Sequence, residues 1–376
     1  MEKNFFDTTS IACRERVHSA VIGWMLSDGC TALTTGQKLD ILCGLFHVKN
    51  KPKNVKNIEV RLEWNNIDIL IITTSSQGSC CWVVENKLKS SQHDNQLDKY
   101  ESIINKDFFS YNHHFLLLSL TEEHPICTSQ NWEKATYEDL SILLSSALKA
   151  TTKIDTHFCI LREYLECIQQ LGYALNSFLT KPELYPEVFV NGNKAQGYKK
   201  PLSSSVMYAD YISECGLETI FQKALFRKLS EQLIKRNKKI IPTYPIIGET
   251  HGNAEIAFAH ILVPYPNKKD EVYIDISFQG GTFKVAIYKD YNKPTPQAKL
   301  VINTIWLPIL QSFAKSNTGW KLQTGAKPRV AVTKHIDNNW YKTDFCTMLK
   351  AWETGLSEAI KVKDDIIAAA KAVKYP

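Results

Sequence analysis

Two short runs constrain this chain more than any other feature. Asn66-Ile67-Asp68-Ile69-Leu70-Ile71-Ile72 and Cys81-Trp82-Val83-Val84-Glu85-Asn86-Lys87 are each brief, rich in β-branched residues and separated by the polar stretch 73–79. That pattern predicts two buried strands. Both runs nevertheless carry charge. A carboxylate removed from water without a partner is strongly disfavoured, so a core strand holds one only where it is paired or binds a cation. Side chains alternate along a strand, which places Glu85 and Lys87 on one face, and a hairpin between the two runs lets Asp68 approach that face. Two carboxylates and an ammonium at a strand end make a hard-cation site beside a proton-handling group. That constellation points to metal-dependent hydrolysis.

The elements around these runs are predicted as follows. Thr9 or Ser10 caps a helix to about Leu26, with Ile11, Val17, Val21 and Trp24 or Met25 on its apolar stripe. Glu15, His18 and Ser19 lie on a neighbouring face of that helix. A short helix follows at Gln37 to Phe46, then a basic connector from Lys49 to Lys56. Ile58 to Trp64 alternates as a strand with one wet face. After Lys87 comes a helix that sets Gln96 and Tyr100, four residues apart, on one side. A core strand at His114 to Leu120 and an amphipathic helix at Tyr137 to Leu148 complete a mixed α/β layer structure.

Beyond about Ala150 the texture changes. Helical stretches at Thr156 to Leu179 and Ser205 to Arg236 enclose a loop from Lys181 to Pro201. Strands are predicted at Glu255 to Val263, Glu271 to Phe278 and Thr282 to Tyr288, the last two joined through Gly280-Gly281. Helices at Ala298 to Ala314 and Lys342 to Lys371 follow. The expected organisation is therefore a first domain over residues 1–150 and an α+β accessory domain over 151–376 that binds substrate or a partner, with homo-oligomer formation also open.

Composition narrows the class. Hydrophobic residues at 44% and charged residues at 22% are globular values, which excludes wholesale disorder. A net charge of +6 permits a nucleic-acid partner. The ten cysteines lack a compact spacing and read as reduced thiols, so a cytoplasmic location is expected. The start, Met1 to Asp7, has no apolar signal core, and no run reaches the length of a membrane span. The densest basic cluster is Lys235, Arg236, Lys238 and Lys239, a nucleic-acid contact or a well-capped helix end. The connector is its only rival in density.

Asp68 followed by Glu85-Asn86-Lys87 resembles the signature of the PD-(D/E)XK nuclease superfamily, and Gln96-x-x-x-Tyr100 resembles the extra motif of its RecB-type branch. The usual proline before the aspartate is Ile67 here. Glu15-Arg16-Val17-His18, Asn131-Trp132 and Tyr137-Glu138-Asp139-Leu140 are similar to elements of one uncharacterised branch, and the resemblance spans roughly residues 10–150. It implies a restriction-endonuclease-like core, a mixed sheet flanked by helices. It also implies that Asp68, Glu85 and the Asn86 main-chain carbonyl hold Mg²⁺ or Mn²⁺. Lys87 would orient or deprotonate the attacking water, or stabilise the pentavalent state. Glu15, His18, Gln96 and Tyr100 would support the site. The implied substrate is nucleic acid, DNA rather than RNA, with defence against foreign DNA as a biological setting.

Two other readings stand beside this one. The chain could be a non-cleaving nucleic-acid-binding or sensor protein that retains the fold, although the intact Asp68, Glu85 and Lys87 set speaks against that. Alternatively, the C-terminal part binds a partner or effector and the nuclease is its output. A zinc site, a phosphate-binding loop and a serine hydrolase are not supported: His-x-x-x-His, Gly-Lys-Ser/Thr and Gly-x-Ser-x-Gly patterns are missing.

Overall fold

The two charged runs become neighbouring antiparallel strands, and a sheet is built outward from them. The computed structural model describes residues 3–90, 92, 95–190, 206–236, 245–250, 253–263, 272–289, 302–324, 329–337 and 339–372. The chain divides into two units, Met1–Ser177 with Asp210–Leu217, and Phe178–Ala209 with Glu218–Pro376.

In the first unit, β1 (Val55–Trp64), β2 (Ile67–Ser75) and β3 (Gly78–Lys87) form an antiparallel meander. The strands β4 (Asn112–Ser119) and β5 (Trp132–Thr136) add in parallel, giving the order β1-β2-β3-β4-β5. Asn65 and Asn66 both take positive φ, at 51° and 67°, between the paired residues Trp64 and Ile67. This is a two-residue primed turn, whose twist matches that of the strands and which favours asparagine. The predicted first strand thus loses Asn66 to the turn, and Asp68 becomes its second residue.

Alternation sorts the sheet into two faces. Leu70, Ile72, Cys81 and Val83 share one face and pack under Leu97, Tyr100 and Ile104 of α4 (Gln96–Asp107), which crosses over between β3 and β4. The same parity carries Asp68, Glu85 and Lys87. The reverse face carries Ile69, Ile71, Trp82, Val84 and Asn86, and is served by α2 (Glu15–Leu26), α3 (Thr35–Leu45) and α5 (Tyr137–Lys149). Capping boxes start α3 at Thr34 with Gln37 and α5 at Thr136 with Asp139.

The predicted helix from Thr9 or Ser10 to Leu26 is corrected. A short α1 (Phe5–Thr8) comes first, Ser10 takes a φ of 58°, and α2 begins only at Glu15. The buried side of α2 also differs from the predicted stripe. It consists of His18, Ser19, Ile22, Gly23, Met25 and Leu26, while Val17 and Val21 are half-buried. Close approach to β1 selects that side: a Cβ at Gly23 would lie 2.8 Å from a Leu62 methyl and 3.2 Å from Val60 Cγ1.

After α6 (Thr156–Thr180) and α7 (Glu187–Val190), the predicted helix Ser205 to Arg236 is two helices, α8 (Ala209–Cys215) and α9 (Glu218–Arg236). Gly216 at a φ of 61° ends α8, and Leu217 N–H closes back on the Ile212 carbonyl at 3.0 Å. That is a left-handed helix stop, for which glycine carries no Cβ penalty. The second unit holds a six-stranded antiparallel sheet of order β10-β11-β9-β8-β7-β6, from β6 (Ile246–Thr250), β7 (Asn253–Val263), β8 (Val272–Gln279), β9 (Thr282–Lys289), β10 (Trp320–Thr324) and β11 (Arg329–His335). Sequence reading did not anticipate β5, β6, β10 or β11. The helices α10 (Leu307–Ser316) and α11 (Phe345–Ala372) follow β9 and β11. Aromatic packing centres on Trp352, whose ring lies 4.4 Å from that of Phe278 and 5.1 Å from that of Phe226. Among the described residues no helix is long and apolar enough to cross a membrane.

Candidate active site

Register brings the charges together. The ladder pairs Ile69 with Val84, so one step toward the strand ends sets Asp68 opposite Glu85. Asp68 Oδ2 accepts the Asn86 main-chain N–H at 2.8 Å, which fixes the carboxylate against β3. Lys87 Nζ lies 2.7 Å from Glu85 Oε1, with the glutamate side chain 1% and the lysine side chain 9% exposed. The predicted triad of Asp68, Glu85 and Lys87 therefore meets at one place.

The helix α4 closes the site from its N-terminus. Gln96 Nε2 donates to Glu85 Oε1 at 2.8 Å and to Tyr100 Oη at 2.8 Å. Tyr100 Oη in turn donates to the Asn66 carbonyl at 2.5 Å, which ties α4 to the β1–β2 turn. Gln96 and Tyr100 share one side of α4, as their spacing predicts, and that side faces Glu85. Sequence reading missed the Asn66 carbonyl, because its significance depends on a turn.

The electrostatics are strained. Burial pushes the Glu85 carboxyl up to about 7, reinforced by Asp68 and opposed by Lys87. Asp68 is also raised, first by burial, against the lowering effect of the Asn86 N–H and Lys87. For Lys87, burial is the largest single influence and lowers it. The combined pull of Glu85, Asp68 and Glu15 still leaves it above its ordinary value. Among the described residues, the buried Glu85 Oε2 has no hydrogen-bond partner. Two desolvated carboxylates, one with an idle oxygen, share a single ammonium. That donor set fits a divalent hard cation. Asp68 and Glu85 would hold it, with the Asn86 main-chain carbonyl as a further oxygen. Among the described residues no three His, Cys, Asp or Glu side chains converge on one point, so the fit rests on this pair.

Glu15 and His18 separate. Both Glu15 carboxylate oxygens accept the Ser90 hydroxyl, at 2.7 and 2.8 Å, and Oε1 also accepts the Ser90 N–H at 3.2 Å. Glu15 thus faces the segment leaving β3 and acts electrostatically on Asp68, Glu85 and Lys87. His18 is 1% exposed and looks elsewhere. Its Nε2 pairs with the Ala12 carbonyl at 2.8 Å and its Nδ1 with Tyr164 Oη at 3.1 Å. Burial drops its pKa to about 4, which keeps the ring neutral. Both nitrogens are engaged inside this layer, so His18 does not reach the carboxylates. Asn86 points its side chain to the same reverse side, where Ser19 and Tyr137 meet it.

The basic cluster lies in the second unit. Lys235 and Arg236 end α9 exposed, with Arg236 Nη1 3.6 Å from Glu353 Oε2. Lys238 and Lys239 lie outside the described residues. In the connector, Lys51 is bound to Asp40 at 2.6 Å and to the Gly36 carbonyl at 2.8 Å.

A family profile described as the PD-(D/E)XK nuclease superfamily matches residues 3–166. No curated protein and no solved structure matches the chain.

Proposed function

Residues 3–166 belong to the PD-(D/E)XK nuclease superfamily, and from that premise we propose that the chain is a divalent-metal-dependent nuclease that hydrolyses phosphodiester bonds, in DNA rather than RNA. The observation that carries this reading is the meeting of Asp68, Glu85 and Lys87 at one strand end, with Glu85 Oε2 lacking a partner among the described residues. A purely structural ion pair would not need the second carboxylate. Retaining it against burial makes sense when a cation visits.

A cation of the Mg²⁺ or Mn²⁺ type, when held by Asp68 and Glu85, supplies positive charge at the scissile phosphate and lowers the pKa of water. The chain's own groups do the rest. Lys87, 2.7 Å from Glu85 Oε1 and drawn above its ordinary value by Glu85, Asp68 and Glu15 in the metal-free site, presents its ammonium to the place where the phosphate would lie. It orients the attacking water and stabilises negative charge as it develops on the phosphate. Gln96 fixes the Glu85 carboxylate through Oε1, and Tyr100 pins Gln96 from behind. Ser90 holds Glu15 within electrostatic range, where its charge further favours a cation.

Purified protein is tested on linear, nicked, single-stranded and supercoiled DNA and on RNA, with Mg²⁺, Mn²⁺ or a chelator. Cleavage that needs the metal and favours DNA is expected. Metal-independent cleavage, or none on any substrate, would overturn the reading.

A further inference from the structure

The middle residue of Glu85-Asn86-Lys87 is absorbed by no step above except through its main chain. Yet its side-chain amide is hydrogen-bonded through both its oxygen and its nitrogen. Asn86 is 1% exposed, on the sheet face opposite Glu85 and Lys87. Its Oδ1 accepts the Tyr137 hydroxyl at 2.7 Å. Its Nδ2 donates to Ser19 Oγ at 3.0 Å and to the Glu15 carbonyl at 3.3 Å. Both amide hydrogens and the amide oxygen are thus engaged, which uses the group in its only satisfiable orientation. Burial keeps the Tyr137 hydroxyl protonated and therefore a donor.

Each partner is itself anchored. Tyr137 opens α5 behind the Thr136 capping box, is fully buried, and stands edge-on to His18 with ring centres 5.1 Å apart. Ser19 Oγ donates to the Glu15 carbonyl at 3.2 Å, so Ser19 and Asn86 share that acceptor. Glu15 is consequently held twice, by its carbonyl from Asn86 and by its carboxylate from Ser90 on the segment following the same strand. On the other side of β3, the Asn86 N–H holds Asp68. A shift of Asn86 would therefore move Asp68, Glu85, Lys87 and the Glu15 carboxylate relative to one another.

We propose that the Asn86 side chain, clamped between Tyr137 and Ser19, is a positioning element that sets the pitch of the β3 end. It brings Asp68, Glu85 and Lys87 into register and sets the distance of Glu15 from them. It touches neither substrate nor cation. This rests on the nuclease reading for its kinetic consequence alone, because the geometry it fixes exists without substrate.

The test removes the clamp's hydrogen bonds with little loss of volume: Tyr137→Phe deletes one, Ser19→Ala deletes the two made by the Ser19 hydroxyl, and Asn86→Asp is a third variant. Asn86→Asp keeps the acceptor for Tyr137 and deletes the donors toward Ser19 and Glu15. Three quantities are read on the full chain: cleavage kinetics with Mn²⁺, Mn²⁺ affinity by calorimetry, and hydrogen exchange of the segment carrying Asn86. Each variant should stay folded and lose about fivefold in kcat, since a net hydrogen bond of about 1 kcal/mol is about that factor in rate. KM should be unchanged, Mn²⁺ binding weaker, and exchange at Asn86 faster. Unchanged kcat, affinity and exchange in all three variants would overturn the proposal. So would a melting-temperature loss with KM and kcat unaffected, which a merely structural role produces. Should wild-type protein cleave nothing, the nuclease reading fails by itself, and Mn²⁺ affinity with hydrogen exchange still decides whether the clamp holds.

Discussion

Glu85→Gln should make the metal-free protein more stable at neutral pH, although it removes an ion pair. Glu85 has a folded-state pKa of about 7 against 4.5 for the ordinary side chain, caused first by burial and then by Asp68. Between these two values the folded state binds more protons than the unfolded one. Stability therefore falls as pH rises through that window, and the whole cost is present above about pH 7. The difference between 4.5 and about 7 corresponds to about 3 kcal/mol, at about 1.4 kcal/mol for each pH unit. Glutamine keeps an oxygen for Gln96 but gives up the 2.7 Å ion pair with Lys87. The pull of Lys87 is already contained in the value of about 7. The glutamine amide, however, would take the place of Oε2, which has no partner among the described residues, at a cost of about 1–2 kcal/mol. The net gain should therefore be about 1–2 kcal/mol at about pH 8 and close to zero at about pH 5. The assay is urea unfolding of wild type and variant in chelator at several pH values. Differences between the two curves cancel the titration of distant groups. A variant equally or less stable than wild type at pH 8, with no pH trend in the difference, would refute the reasoning. It would mean that Lys87 already neutralises the pair.

Three further outcomes are expected. Lys87→Ala should lose turnover while binding nucleic acid normally in Ca²⁺, because a donor to developing charge matters mainly in the transition state. Equal loss of binding and cleavage would make Lys87 a phosphate anchor instead. Gln96→Leu should lower kcat by about tenfold, because Glu85 Oε1 loses one of its two partners; a kcat at the wild-type level would remove Gln96 from the site. Neutralising Lys235, Arg236, Lys238 and Lys239 should flatten the salt dependence of binding in Ca²⁺, by about 0.7–0.9 in log–log slope for each phosphate no longer neutralised. An unchanged slope would hand that role to the Lys49 to Lys56 connector.

What the sequence made legible was what depends on local spacing. Glu85 and Lys87 share a face because they are two apart on a strand, and Gln96 and Tyr100 because they are four apart on a helix. The hairpin that brings in Asp68 follows from two apolar runs and a polar gap. The face of α2 was misjudged because its buried side carries His18, Ser19 and Gly23, which no apolar stripe marks. That face is chosen by close approach to Val60 and Leu62 and by the hydrogen bond from Asn86. For the same reason His18 read as a site residue, though the fold turns it toward Tyr164. The break at Ser10 depends on backbone geometry that serine rarely adopts. The strands β5 and β10, five residues each, have too few alternations to stand out, and are held by their neighbours rather than by propensity.

The central claim is that Asp68 and Glu85 form the cation-dependent centre of a nuclease. Its most direct measurement is cleavage of labelled DNA by wild type, Asp68→Ala and Glu85→Ala side by side, each shown to be folded, across a Mg²⁺ and Mn²⁺ titration. The account predicts metal-dependent products from wild type and none from either variant at any concentration. Cleavage by either variant at the wild-type rate would contradict it.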